Sequence, residues 1–137
     1  MKLPRPSDKL AGCVWLPRIL AKARLLQQGE LPPDYAAHFC HPKAADGLFL
    51  SHFGLSRGDV LSTAALSDED AAQWFLSRTA DRPTCIPEWN QIALNLGRPD
   101  HPMAERFWVA LATTYKHVDA RGLTTVFEML EADEKNA

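Results

Sequence analysis

Three basic side chains offer the clearest chemistry in this chain. Arg18 and Lys22 lie four residues apart and Arg24 follows, so a helix over this stretch carries them within two turns. Arg18 and Lys22 then project together on the polar side, while Arg24 borders the apolar stripe and can lay its stem along it. On a solvated face they are ordinary surface charges. Taken as a set, they are the residues expected to contact a small anionic ligand or a protein partner.

A second group is His38, Cys40 and His41, with His52 further along. Imidazole and thiolate suit zinc or another borderline metal, but a second close pair is missing and the spacing is not that of a finger or ribbon. No metal site is therefore favoured, and His38, Cys40 and His41 are the residues that would form one. Cys85 follows Thr84, a candidate N-cap, where helix N–H groups would favour a thiolate nucleophile; its plainer role is a small apolar side chain at a helix start. The paired carboxylates, Asp68-Glu69-Asp70 and the acids near the end, have the look of helix-end or solvated charges. There is no Gly-rich phosphate loop, no Gly-x-Ser-x-Gly and no His-Glu-x-x-His.

The elements that must hold these groups are helices. Leu16, Ile19, Leu20, Ala23 and Leu26 repeat with a 3.6-residue period, Pro17 suits a first turn and Gly29 suits a helix end. Pro32-Pro33 predicts a loop over residues 30–41. Helices are expected from Pro42 to Phe53, from Ser56 to Ala65, after Ser67, after Thr84, from Asp100 to about Val118, and after Thr125. Ser56 with Asp59, Ser67 with Asp70, and Thr125 with Glu128 have the spacing of capping boxes. Trp15, Trp74, Trp89 and Trp108 fall on four of these helices and are assigned to the core. No alternating strand pattern emerges. The fold class is all-α: a single helical domain over 1–137 with about six to seven helices, an extended lead-in at 1–12 and a disordered tail at 134–137.

The chain has 137 residues, 46% of them hydrophobic and 23% charged, an ordinary balance for one globular domain. Its net charge of -2 divides unevenly, because residues 1–28 sum to +5 and the remainder to -7. With no basic stripe beyond residue 28, nucleic acid is an unlikely partner. No apolar run is long enough to span a membrane and no secretory signal pattern opens the chain. Three scattered cysteines argue against a disulfide framework and for reduced thiols, so a cytoplasmic location is expected.

Trp15-Leu-Pro-Arg18 with Lys22, Ala23 and Arg24 forms one block, followed by Tyr35 and Cys40, by Leu48-Phe-Leu50 with Phe53-Gly54, and further on by Trp89, Gly97, Pro99, Arg106 and the segment 126–134. In these residues the chain resembles a bacterial family known as domain of unknown function 5069. At His41-Pro42 the chain departs from the family pattern. The resemblance says nothing about chemistry, and activity and cofactor stay open. It does imply that the basic opening and acidic close are family features, which suggests docking of the last helix beside the first, with Arg18 or Arg24 facing Glu128 or Glu131. The function expected is a non-catalytic module that binds a protein partner, itself included as a homodimer, or a small anionic ligand. The alternative is a small metal- or thiol-dependent enzyme using the 38–41 loop.

Overall fold

Residues 2–135 are described in a computed structural model, and within them the regular structure is helical apart from one short hairpin. Strands β1 (Lys9–Leu10) and β2 (Cys13–Val14) pair antiparallel, Leu10 opposite Cys13. Ala11 and Gly12 both have positive φ, 54° and 76°, as a two-residue type I′ turn requires. Two-residue strands leave no alternation to read, so the extended lead-in of 1–12 proves to be partly a hairpin. Residue 1 lies outside the described residues.

Helix α1 (Leu16–Gln27) buries Leu16, Ile19, Leu20 and Ala23 as their spacing predicts. It ends in a Schellman motif: Gly29 N–H donates to the Leu26 carbonyl at 3.1 Å and Glu30 N–H to that of Leu25 at 2.8 Å. The loop expected over residues 30–41 contains a helix instead, α2 (Pro33–His38). Pro32 is extended (ψ 149°), as a residue before proline prefers, and Pro33 occupies a first-turn position where its missing N–H costs nothing. The proline pair therefore starts a helix rather than forbidding one.

Helix α3 (Ala45–Phe53) begins three residues later than expected. The Arg82 guanidinium covers its carboxyl end, donating to the His52 and Phe53 carbonyls at 3.0 and 2.8 Å. A capping box opens α4 (Arg57–Leu61): Asp59 N–H donates to Ser56 Oγ and Ser56 N–H to Asp59 Oδ2. Ser67 Oγ caps α5 (Asp68–Thr79) in the same sense, and Cys85 opens α6 (Cys85–Leu94).

The described residues form two compact units, one ending at Trp89 and the other beginning at Asn90. The first closes around Phe49, Phe53, Phe75 and Trp89, whose rings meet edge-on or tilted except for Phe49 and Phe75, which stack at 6.0 Å; Phe49 and Trp89 centroids are 5.4 Å apart and Phe53 and Phe75 4.9 Å. The indole N–H of Trp89 donates to the Val14 carbonyl at 3.0 Å and fastens α6 to β2.

The second unit comprises the end of α6, α7 (Ala104–Ala112) and α8 (Val126–Lys135), closed over Leu96, Phe107, Val126, Phe127 and Met129. Gly97 (φ 96°) is packed so tightly that an added Cβ would lie 3.0 Å from the Phe107 ring. The helix expected to run to Val118 stops at Ala112. The Thr113 hydroxyl donates back to the Val109 carbonyl, and the Tyr115 N–H returns to that of Ala110 at 2.7 Å, which turns the chain out of the helix. A capping box of Thr125 and Glu128 opens α8. This helix continues through Glu134 and Lys135, where a disordered tail was expected; residues 136 and 137 lie outside the described residues. No helix among the described residues is long and apolar enough to cross a membrane.

Candidate functional site

The side chains of Trp15, Arg18 and Lys22 follow one another at i, i+3 and i+7, so the start of α1 presents them on a common face. That face is turned inward. Arg18 is 1% exposed and Lys22 4%, which corrects the expectation of a solvated cationic face or rim at these two positions. Asp46, in the first turn of α3, is the reason. Its Oδ1 accepts from Trp15 Nε1 at 2.7 Å and from Lys22 Nζ at 2.8 Å, and its Oδ2 lies 2.8 Å from the same Nζ. The backbone N–H of Cys40 adds a bond to Oδ2 at 3.0 Å. One carboxylate thus ties α1, α3 and the residues after α2.

Arg18 completes the cluster. Its Nη1 donates to the Pro4 carbonyl at 3.1 Å, and its guanidinium carbon lies 5.3 Å from the Trp15 ring centroid and 6.0 Å from that of Tyr35. Lys22 Nζ approaches the Trp15 ring at 5.1 Å. Arg24 is half-buried. It pairs with Asp68 at 2.8 Å and donates to the Leu66 carbonyl at 3.2 Å, so it ties α1 to the start of α5.

Burial pushes the Lys22 ammonium below its ordinary value, and Asp46 pulls it back only in part. Burial also pushes the Cys40 thiol up to about 12, with Asp46 adding to the rise against the pull of Lys22 and Arg57. At neutral pH Cys40 is therefore a protonated thiol and a poor nucleophile. The close approach depends on Gly47: a Cβ there would lie 2.2 Å from the His41 carbonyl oxygen and 2.5 Å from Pro42 Cα.

The metal-ligand candidates do not converge. His38 Nδ1 is engaged with the Asp34 carbonyl at 2.8 Å, and His41 Nδ1 accepts from the Lys43 N–H at 3.1 Å. Cys40 offers its backbone, not its sulfur, to the bond with Asp46. Among the described residues no group of three or more His, Cys, Asp and Glu is arranged to hold a metal ion. Cys85 is buried, in keeping with an apolar role at the start of α6.

The tryptophans divide. Trp15 and Trp89 are core; Trp74 is half-buried beneath Arg78 at 5.8 Å. Trp108 is 60% exposed, which corrects its assignment to the core. Glu105, Trp108, Val109 and Ala112 share the outer face of α7 at i, i+3, i+4 and i+7, with Val109 55% exposed, while Phe107 fills the inner face. This helix is apolar on two sides; the helical period that expects Phe107 on the core side is borne out there, and it leaves Trp108 on the outer face.

Asp46 escaped the sequence reading although it left a trace: it is the sole acid on α3, set between Ala45 and Gly47 at its start. Comparison with curated proteins and with solved structures gives no match. The profile of the family described as a domain of unknown function, DUF5069, matches residues 2–136, and the chain belongs to that family.

Proposed function

We propose that this chain is a non-catalytic interaction module acting in the cytoplasm, that it works through the outer face of α7, and that a second copy of the same chain occupies that face. The observation that supports this reading is the exposure of Trp108 beside Val109 on a helix whose other side is already packed. An exposed tryptophan flanked by a second apolar side chain is the composition of an interface hot spot. Trp108 stands at the middle of α7, so a two-fold axis passing there sets each indole against its counterpart, the self-complementary arrangement an isologous dimer needs. Glu105 and Arg106 carry opposite charges at the amino end of the helix, so two copies meet without opposing like-charged clusters.

The patch is small beside the roughly 800 Å² per partner of a stable complex, so the association is weak and concentration-dependent. The anionic-ligand reading through Arg18, Lys22 and Arg24 has less support, since the first two are withdrawn from solvent and the third is engaged with Asp68. An enzyme built on residues 38–41 is disfavoured by the protonated Cys40 thiol and the dispersed histidines.

Sedimentation velocity over a concentration series tests the proposal. The wild-type chain should pass from monomer to dimer as concentration rises, and Trp108→Glu should remain monomeric while keeping its helical circular dichroism. A wild type that stays monomeric throughout, or a variant that associates equally well, overturns it.

A further inference from the structure

Helix α7 stops at Ala112, yet nothing in the sequence compels it to: no glycine or proline lies between Ala112 and Gly122. The apolar spacing of Ala104, Phe107, Leu111, Tyr115 and Val118 runs on through the stop. Thr113 leaves the helical region, with φ -126° and ψ -87°. Beyond it the chain stays coiled. Lys116 N–H donates to the Thr113 carbonyl at 3.3 Å and Val118 N–H to that of Tyr115 at 3.0 Å, each three residues back, which is the tighter relative of the helical ladder. His117 ties this coil to α8, its Nε2 donating to Asp133 Oδ1 with the imidazole exposed. An exposed pair of this kind is a weak fastening.

We infer that the carboxyl end of α7 has two forms, a short one clasped to α8 through His117 and Asp133 and a long one running to Val118, and that two copies pair in the long form. This rests on the reading of the α7 face as a self-association surface. In the long form Trp108, Ala112 and Tyr115 stand at i, i+4 and i+7, so the phenol ring lines up with the indole and the small face gains a second aromatic side chain. Lengthening moves the Tyr115 N–H from the Ala110 carbonyl to that of Leu111, the Lys116 N–H from Thr113 to Ala112, and the Val118 N–H from Tyr115 to Thr114. No backbone bond is lost in the exchange. Straightening the chain at Thr113 swings His117, four residues on, away from Asp133, so the clasp and the long helix exclude each other. A second copy binds only the long form, and its apparent affinity is scaled by the fraction of chains that hold that form.

Circular dichroism and sedimentation velocity on the full chain test this together. Wild-type helical ellipticity should rise through the concentration range in which dimer appears. Thr113→Ala replaces a β-branched residue with the strongest helix former, and His117→Ala removes the clasp; each should raise the ellipticity of the dilute monomer and tighten dimerisation by about threefold. Adding Tyr115→Ala to Thr113→Ala should keep the gain in ellipticity and cancel the gain in association, because alanine favours the helix but lacks the ring. Ellipticity unchanged in both single variants overturns the two forms, while leaving the dependence of the dimer on Trp108 untouched. A Tyr115→Ala change that leaves the gain in association intact overturns the pairing through the long form. Chains that gain ellipticity and never dimerise, the wild type included, overturn the reading of the α7 face and with it the pairing assigned to the long form.

Discussion

Lys22 and Asp46 form an ion pair withdrawn from water at both ends, with Nζ 2.8 Å from each carboxylate oxygen and side chains 6% and 1% exposed. Removing one partner strands the other charge in a medium that cannot solvate it. Asp46→Ala should therefore destabilise the fold by about 3–5 kcal/mol, read from the urea midpoint at constant slope. The double variant Lys22→Met with Asp46→Leu should recover part of this loss. It should not recover all, because Trp15 Nε1 and the Cys40 N–H lose their acceptor as well. A double variant no more stable than Asp46→Ala alone would contradict the pairing.

Gly47 is the neighbour that makes the pair possible. A methyl group there meets backbone atoms of His41 and Pro42, which cannot swing aside as a flexible side chain would. Gly47→Ala should cost about 3 kcal/mol despite the gain in helix propensity that Gly→Ala brings inside a helix. Gly58 is the control: the nearest atom to its added Cβ is Ser56 Oγ at 3.7 Å, so Gly58→Ala should be neutral or mildly stabilising in the same urea titration.

Glu128 gives a pH dependence of defined sign. The Thr124 N–H, aided by the Thr124 hydroxyl and by Thr125, holds its carboxyl below the ordinary 4.5. A depressed folded-state value means that the unfolded chain binds more protons in the window below 4.5. The contribution is present in full above 4.5 and is lost as pH falls through the lowered value. The wild type should thus lose stability on acidification more steeply than Glu128→Gln. Equal slopes for the two proteins, followed by urea midpoints on either side of 4.5, would show that the cap carries no proton linkage.

Local signals were legible and distant ones were not. The capping boxes at Ser56 with Asp59 and Thr125 with Glu128 lie within one turn, so residue types at fixed spacing sufficed to find them. The apolar face of α1 was readable for the same reason. The partnership of Lys22 with Asp46 spans 24 residues and arises only once α1 packs near α3, so two charges on a helix looked like surface charges. Pro32-Pro33 carried both meanings, a break and a start, and the meaning depended on the following Asp34-Tyr-Ala-Ala. In α7 the apolar residues point both ways, and Phe107 rather than Trp108 took the interior.

The bond from the Cys40 N–H to Asp46 has a dynamic consequence. Cys40 lies on a short, half-exposed connection with a strained φ of 58°, a place where fast solvent exchange of the amide would ordinarily be expected. Its N–H instead donates to the carboxylate that also holds Lys22 and Trp15, so the acceptor is fixed by the same contacts that join α1 to α3. This connection should behave in deuterium labelling as a slow member of the interior, opening only when the whole first unit opens.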